Sequence, residues 1–483
     1  MADDWVLQEM AAVDLHDKRL EQRLSTVLSQ LASQPRASIP AACGGHAEMT
    51  AAYRMLDNDA VTWDGILAPH AAAARQRIAA QPVVLLAQDT TEIDVTRPHQ
   101  QVAGAGPLDG ANRRGALLHL MHAFTPDGTP LGTLDSQAWV RADGPTNAAV
   151  TRAERAALPL ADKESQRWVT TLERAQAEAE HCPQTQLICV ADSEADIYEF
   201  LMTGAGASGR IDWIVRACQD RALQMEAAAG AAPRLRERLL EQPVLLTQAI
   251  TVRGRDAKVQ CDTRRRRQPR VSREAQVAVR AATVTLRPPY RASGKLPAIT
   301  VNAVLASELD PPADDVAVEW LLLTSLPVDD AAQAQQVLDY YCGRWMIEVF
   351  FRVLKSGCRV EERRFEQMDR LLNCLAVYLI VAWRTLYVCR LGRSCPEADC
   401  ELLFEPAEWK SVWRITKRAA PPAAPPKLGE MVRLVAQLGG YVGGKNRLPP
   451  GPQTVWIGLQ RMHDFALCWT QFGPEAQPGA GDV

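Results

Sequence analysis

What this 483-residue chain lacks narrows its reading before any motif is found. Its 12 cysteines contain no C-x-x-C pair and no Cys/His cluster with zinc spacing, which excludes a zinc ribbon and a thioredoxin-like centre. A dozen thiols in a chain this long are no disulfide framework either, and a reducing cytoplasm is the expected home. Long apolar runs are missing too. The most apolar stretch, Leu371 to Trp383, is interrupted by Asn373, closed by Arg384 and shorter than the ~18 residues a span needs, so it predicts a buried helix. No membrane association is expected. Charge of one sign is absent: 54 Lys and Arg against 57 Asp and Glu leave a net charge of −3, with 47% hydrophobic positions. That balance excludes a disordered or collagenous chain. Met1-Ala-Asp-Asp-Trp5 is acidic where a signal peptide would be basic.

What is present reads as an α/β chain with helical ends. Leu20, Leu24, Leu28 and Leu31 recur at helical spacing until Pro35, predicting a helical N-terminal module of about 80 residues. Seven basic side chains face ten acidic ones over residues 1–79, so any nucleic-acid contact there uses one face rather than bulk charge. From Val83 the pattern changes to a short apolar run ending in Asp89, as buried strands do, and Gln186 to Ala191 repeats it, ending in Asp192. Between them, Thr125-Pro-Asp-Gly128 predicts the turn of an antiparallel hairpin, and Glu164 to Cys182 predicts a helix. Residues 205–317 lose helical period and gain Val, Thr, Arg and Pro, which predicts a β-rich insertion. Trp320-Leu-Leu-Leu-Thr-Ser returns to a core-strand pattern. A long helix follows over about 330–356, then a second apolar helix, a Pro-rich linker at Pro421 to Pro426 and a C-terminal helical unit.

Asp89 and Asp192, at the ends of two predicted core strands, stand where ligand groups gather in α/β sheets, although an acid after a strand is more often a turn residue or cap. The helix at 330–356 adds the decisive pattern. Tyr341, Arg344, Glu348 and Lys355 step by three, four and seven, so all four share one helix face. A solvated stripe is the plain alternative. Trp345, Ile347, Val349, Phe350, Phe351, Val353 and Leu354 leave that stripe little exposed surface, so the polar face is expected to line a groove. A carboxylate flanked by cations and a phenol suits metal-dependent phosphodiester chemistry: the acid binds a divalent cation while Arg, Lys and Tyr hold phosphate oxygens.

The Tyr, Arg, Glu and Lys spacing resembles the signature of bacterial cut-and-paste DDE transposases of the insertion-sequence-four family, the group that includes the transposon-five transposase. Flanking segments resemble it as well: Asp89-Thr-Thr, Leu118-His-Leu-Met-His-Ala, Asp162-Lys-Glu-Ser with Trp168, Asp192-Ser-Glu-Ala-Asp196, Trp320-Leu-Leu-Leu-Thr-Ser and Leu438-Gly-Gly-Tyr, spanning nearly the whole chain. The resemblance implies a ribonuclease-H-like catalytic core interrupted by a β-rich insertion. The core falls at 81–204 and 318–392, with the insertion at 205–317, a helical DNA-binding module at 1–80 and a C-terminal helical dimerisation module at 393–483. It implies a catalytic, metal-binding triad of Asp89, Asp192 and Glu348, with Mg²⁺ as cofactor and Mn²⁺ as substitute. Tyr341, Arg344 and Lys355 would grip DNA phosphates, Trp320 would receive a flipped base, and Arg216 would lie near the cleaved end. The implied partners are double-stranded transposon-end DNA, target DNA and a second copy in a homodimeric synaptic complex; the implied reaction is end cleavage, through a hairpin, and joining of the 3′-hydroxyls to target.

Two departures stand out. Ser193 follows the second Asp where the family often carries Arg. The basic focus lies in the insertion, where Arg264, Arg265, Arg266 and Arg267 sit among further basic residues, an expected DNA contact unless the run is a solvated loop. A non-catalytic DNA-binding descendant and a stand-alone nuclease on the same core are the competing readings; three intact carboxylates oppose the first, and the two flanking modules the second. Val455, Leu459, Met462 and Leu467 form an apolar stripe in the C-terminal segment, expected either to meet a partner or to pack on its own chain.

Overall fold

The computed structural model describes residues 4–474 apart from positions 98, 100, 111, 144–157, 207–210, 225–232, 253, 255–270, 291–293, 295, 314 and 445–447. Five helices open the chain: α1 (Asp4–Glu9), α2 (Lys18–Ser33), α3 (Ile39–Ala42), α4 (His46–Leu56) and α5 (Trp63–Ala79). Helix α2 starts where Asp17 accepts a hydrogen bond from the Arg19 amide, and it buries Leu24, Val27, Leu28 and Leu31 on one face. The module is locked to the rest of the chain by a buried polar cluster. Glu9 accepts two bonds from Arg77, at 2.9 and 3.0 Å, and one from the His70 ring. The Thr133 amide donates to His70 Nε2, so Nδ1 carries the proton toward Glu9. Arg77 also stacks over Trp383, 4.1 Å from the ring centre.

The sheet follows. Strands β1 (Val83–Asp94), β2 (Gly106–Pro107), β3 (Arg114–Phe124) and β4 (Pro130–Trp139) precede α6 (Gln166–His181), β5 (Gln186–Ala191), α7 (Tyr198–Gly206) and β6 (Asp212–Arg216). Next come α8 (Leu235–Leu240), β7 (Leu246–Val252), β8 (Arg273–Leu286), β9 (Ile299–Glu308) and β10 (Glu319–Thr324). The ten strands of the described residues join one sheet in the order β2-β3-β1-β5-β6-β10-β9-β8-β7, with β4 also paired to β3. Strands β4-β3-β1 run antiparallel, while β5 and β6 lie parallel to β1, which is the five-strand ribonuclease-H-like core. The β3–β4 turn is built as its sequence predicts: Gly128 has φ +88 and donates to the Thr125 carbonyl at 2.8 Å.

Two expectations change here. Residues 205–317 begin with β6, a core strand, rather than with an insertion, because Trp213, Ile214 and Val215 pair with β5 and are buried on both faces. The remaining strands of that range extend the same sheet through β9–β10 pairing. The helix expected over 330–356 is present with an irregular step: α9 (Ala331–Gly343) and α10 (Trp345–Arg352) meet at Arg344, itself in the right-handed helical region at φ −52 and ψ −34, and Val353–Gly357 winds as a π turn.

Helices cover both sheet faces. Trp168, Leu172, Phe200 and Leu201 from α6 and α7 pack on one; Val337, Leu338, Tyr340 and Tyr341 from α9 pack on Leu85, Ile188, Val190, Ile214 and Leu322 of the other. Helix α11 (Met368–Ser394) is long and apolar enough to cross a membrane by length and composition, yet most of it is buried as the hub between the sheet and the N-terminal helices. Helices α12 (Pro406–Lys417), α13 (Leu428–Leu438) and α14 (Pro452–Phe472) close the chain against its end. A Cβ on Gly458 would lie 1.9 Å from the Val435 carbonyl oxygen, so α13 and α14 touch backbone to backbone. The C-terminal stripe is consumed largely within the chain: Val455 and Met462 are buried in this cluster and Leu459 packs against it, leaving Leu467 exposed.

Candidate active site

Strand register brings the site together. Strand β1 continues to Asp94 through its antiparallel partner β3, so Asp89 sits inside the strand, opposite Leu120, rather than at its end. Parallel pairing with β5 does stop nearby, at Ala87 opposite Val190. Two further residues on each strand reach Asp89 and Asp192, which therefore fall abreast. Val215 pairs with Ala191, and the next position aligns Arg216 with Asp192. Arg216 is in turn opposite Leu322, two residues from Trp320. Alternation puts Asp89, Asp192, Arg216 and Trp320 on the sheet face that carries Leu85, Val190, Ile214 and Leu322, the face covered by α9 and α10.

Helix α10 supplies the third carboxylate. Arg344 at the helix junction donates to Asp89 Oδ2 at 3.0 Å and to Glu348 Oε1 at 2.7 Å, joining residues 255 positions apart in sequence. Its guanidinium is nearly buried and lies 6.0 Å from the Tyr341 ring. Burial disfavours its charge, but Asp89, Tyr341 and Glu348 outweigh that and hold its pKa above the ordinary value. Tyr341 is buried, which raises its phenol pKa, and its ring lies 6.5 Å from that of half-buried Trp320. Exposed Arg216 lies near enough to oppose that rise.

The Asp89 carboxyl is pushed up to about 7 from an ordinary 3.8. Burial is the largest cause; Arg344 and the Thr90 amide oppose it, and the charges of Asp192 and Glu348 add to it. The Thr90 N–H donates to Asp89 at 2.7 Å, and the Glu194 N–H donates to Asp192 at 2.8 Å. The site thus holds more negative charge than Arg344 neutralises.

A hard divalent cation fits this donor set: carboxylate oxygens, one with a raised pKa, at a place already bridged by a guanidinium. Among the described residues no three Asp, Glu, His or Cys side chains stand close enough to hold one ion together, so the three carboxylates are not preassembled and Arg344 lies between two of them. Lys355 falls in the π-wound turn and pairs with Glu361 at 3.5 Å, away from the Arg344 cluster. Arg264, Arg265, Arg266 and Arg267 lie outside the described residues. Arg273, at the end of that basic stretch, is held by Glu308 and Asp315.

Several residues around the site escaped the sequence reading. Arg167 on α6 reaches Thr90 and Glu194. The Thr90 hydroxyl also bonds His119, whose pKa is lowered to about 3 by burial and by the Arg167 charge. Asp196, fully enclosed, accepts from the amides of Cys218 and Gln219 and from Arg221, anchoring the loop that follows Arg216. Arg167 stands beside the quoted Trp168 and Asp196 ends the quoted Asp192-Ser-Glu-Ala-Asp196, but nothing in their spacing tells where their side chains turn.

Comparison with known proteins agrees with this architecture. Residues 2–61 match the family described as "Transposase DNA-binding", residues 162–383 "Transposase DDE domain" and residues 380–469 "Transposase Tn5 dimerisation domain". The chain belongs to the DDE transposases, and within them to the Tn5-like group. Asp192 and Glu348 lie inside the DDE match and Asp89 precedes it. Among solved structures, the "Cryo-EM structure of piggyBac transposase synaptic complex with hairpin DNA (SNHP)" aligns over 65% of this chain at 10% identity and a TM-score of 0.32. The alignment spans about half, 48%, of that longer chain.

Proposed function

We propose that this protein is a DNA transposase that cuts transposon ends and joins the freed 3′-hydroxyls to target DNA, with Asp89, Asp192 and Glu348 as its catalytic carboxylates. The observation that carries the reading is the Asp89–Arg344–Glu348 bridge beside Asp192, where the fold concentrates acids that it leaves partly uncompensated. Divalent cations, Mg²⁺ with Mn²⁺ as substitute, would be held by the three carboxylates as a pair; when bound they lower the pKa of an attacking water and stabilise the leaving oxygen. The chain supplies the rest. Tyr341 and Arg344 on the helix face and Lys355 in the following turn hold phosphate oxygens, Lys355 exchanging its Glu361 partner for a phosphate. Arg216, exposed at the end of β6, contacts the backbone near the scissile bond, and the half-buried Trp320 ring offers a stacking surface for a base displaced when the strand folds into a hairpin. The Arg264 to Arg267 run adds sequence-independent phosphate contact.

The partners are double-stranded end DNA, target DNA and a second copy of the chain, acting in the cytoplasm. The N-terminal helices read the end and the C-terminal helices meet the partner. Because Val455 and Met462 are already buried, the partner contact falls on exposed positions such as Leu467 and Phe472 rather than on the whole stripe.

The test is Glu348→Gln with DNA carrying the element's own ends. Cleavage is expected to fall by at least about a thousandfold, as removal of a charge-stabilising group does, while end binding stays within about twofold. Retention of cleavage by a folded, DNA-bound Glu348→Gln chain refutes the assignment.

A further inference from the structure

We propose that Arg167 is a positioning residue, which ties the Asp89 segment to the Asp192 segment and sets the gap between these carboxylates. The inference rests on the active-site reading above and adds a member to it. Backbone pairing between β1 and β5 ends at Ala87 and Val190, so no ladder hydrogen bond holds Asp89 to Asp192. Arg167 bridges that gap. Its Nε donates to Thr90 Oγ1 at 2.9 Å and its Nη2 donates to Glu194 Oε2 at 2.7 Å. Thr90 and Glu194 are the residues whose amides orient the Asp89 and Asp192 carboxylates, at 2.7 and 2.8 Å. One guanidinium is therefore attached to both catalytic segments through the residue that aims each acid.

The arm itself is rigid. Nη1 is anchored on the Glu164 carbonyl oxygen at 2.7 Å, and the guanidinium lies 5.6 Å from the Trp139 ring centre and 5.4 Å from that of Trp168. The Thr90 hydroxyl accepts from Arg167 and is also hydrogen-bonded to His119 Nδ1, 2.9 Å away. Ser193, the neighbour of Asp192, carries no charge with which to do this. A forked, planar donor is required because the bonds leave in different directions; a lysine ammonium cannot reproduce the fork.

The experiment compares Arg167→Lys with wild type in the full chain. It reads Mn²⁺ affinity by calorimetry on the end-DNA complex, single-turnover cleavage at saturating Mn²⁺, and thermal unfolding. Arg167→Lys is expected to weaken Mn²⁺ binding by about tenfold, the usual scale for a group that orients metal ligands, and to slow cleavage. Glu194→Gln, at an exposed residue, is expected to weaken Mn²⁺ affinity in the same direction by about twofold with an unchanged Tm. Wild-type Mn²⁺ affinity in both variants, with or without a lowered Tm, overturns the proposal. Asp89→Asn run alongside separates the two claims: if it cleaves normally the active-site reading fails, whereas if it is inactive and Arg167→Lys behaves as wild type only the positioning role fails.

Discussion

Two of the places among the described residues where an arginine meets a carboxylate in the interior are electrostatic opposites. In the Glu9–His70–Arg77 cluster burial raises the Glu9 pKa, but His70 and Arg77 outweigh it and bring it down to about 2. In the Asp89–Arg344–Glu348 cluster burial again raises the acid, Arg344 does not overcome it, Asp192 and Glu348 add to the rise, and Asp89 reaches about 7. The chemistry of the groups is the same. What differs is the set of partners: the one acid of the first cluster accepts from both an arginine and a histidine, whereas Asp89 and Glu348 share a single arginine in the second, with Asp192 nearby. The first cluster fastens the N-terminal helices to the β4 hairpin; the second stores negative charge that a bound cation would relieve.

The largest expected effect breaks the first cluster. Glu9→Gln removes the charge that balances Arg77, puts an NH₂ donor in place of one acceptor oxygen facing Arg77 and His70, and is expected to destabilise the fold by about 3 kcal/mol, the usual cost of breaking a buried pair. Asp89→Asn should do the reverse, stabilising the cation-free protein at pH 8 by about 1–3 kcal/mol because it replaces a disfavoured charge with its neutral shape. Urea unfolding of the two variants beside wild type reads both signs. Destabilisation by Asp89→Asn would show that Arg344 already neutralises the site.

A smaller effect sharpens the contrast through pH. The folded Asp89 pKa of about 7 exceeds its ordinary 3.8, so its contribution to stability is complete below about pH 4 and is lost as pH rises through 7. Glu9, folded at about 2 against 4.5, contributes fully above 4.5 and loses that contribution as pH falls through 2. Without divalent cations, wild-type stability should decline between pH 5 and 8. Asp89→Asn should flatten that limb, and Glu9→Gln should leave it intact while removing part of the acid limb.

The same two clusters mark how far sequence carries. Strands at Val83 and Gln186, the Thr125–Gly128 turn and the Arg344–Glu348 pair were legible because each rests on local period or spacing. The Asp89–Arg344 bond joins positions 255 apart, and the register that aligns Asp89 with Asp192 is a property of strand pairing, so neither leaves a local mark. Strand β6 falls within the range whose lost helical period and Val, Thr, Arg and Pro content read as insertion, and only pairing with β5 and β10 makes it core. The irregular step at Arg344 left little mark because the helical pattern runs on through it, although Gly343 stands beside it. The Glu9 cluster was invisible for the same reason as the Asp89 bridge: its members come from α1, α5 and β4.

The account turns on whether Asp89, Asp192 and Glu348 together bind divalent cations. Electron paramagnetic resonance of Mn²⁺ added to the end-DNA complex counts them directly. Two bound ions are expected per wild-type active site, with loss of at least one in each of Asp89→Asn, Asp192→Asn and Glu348→Gln. Equal Mn²⁺ occupancy in wild type and all three variants would contradict it.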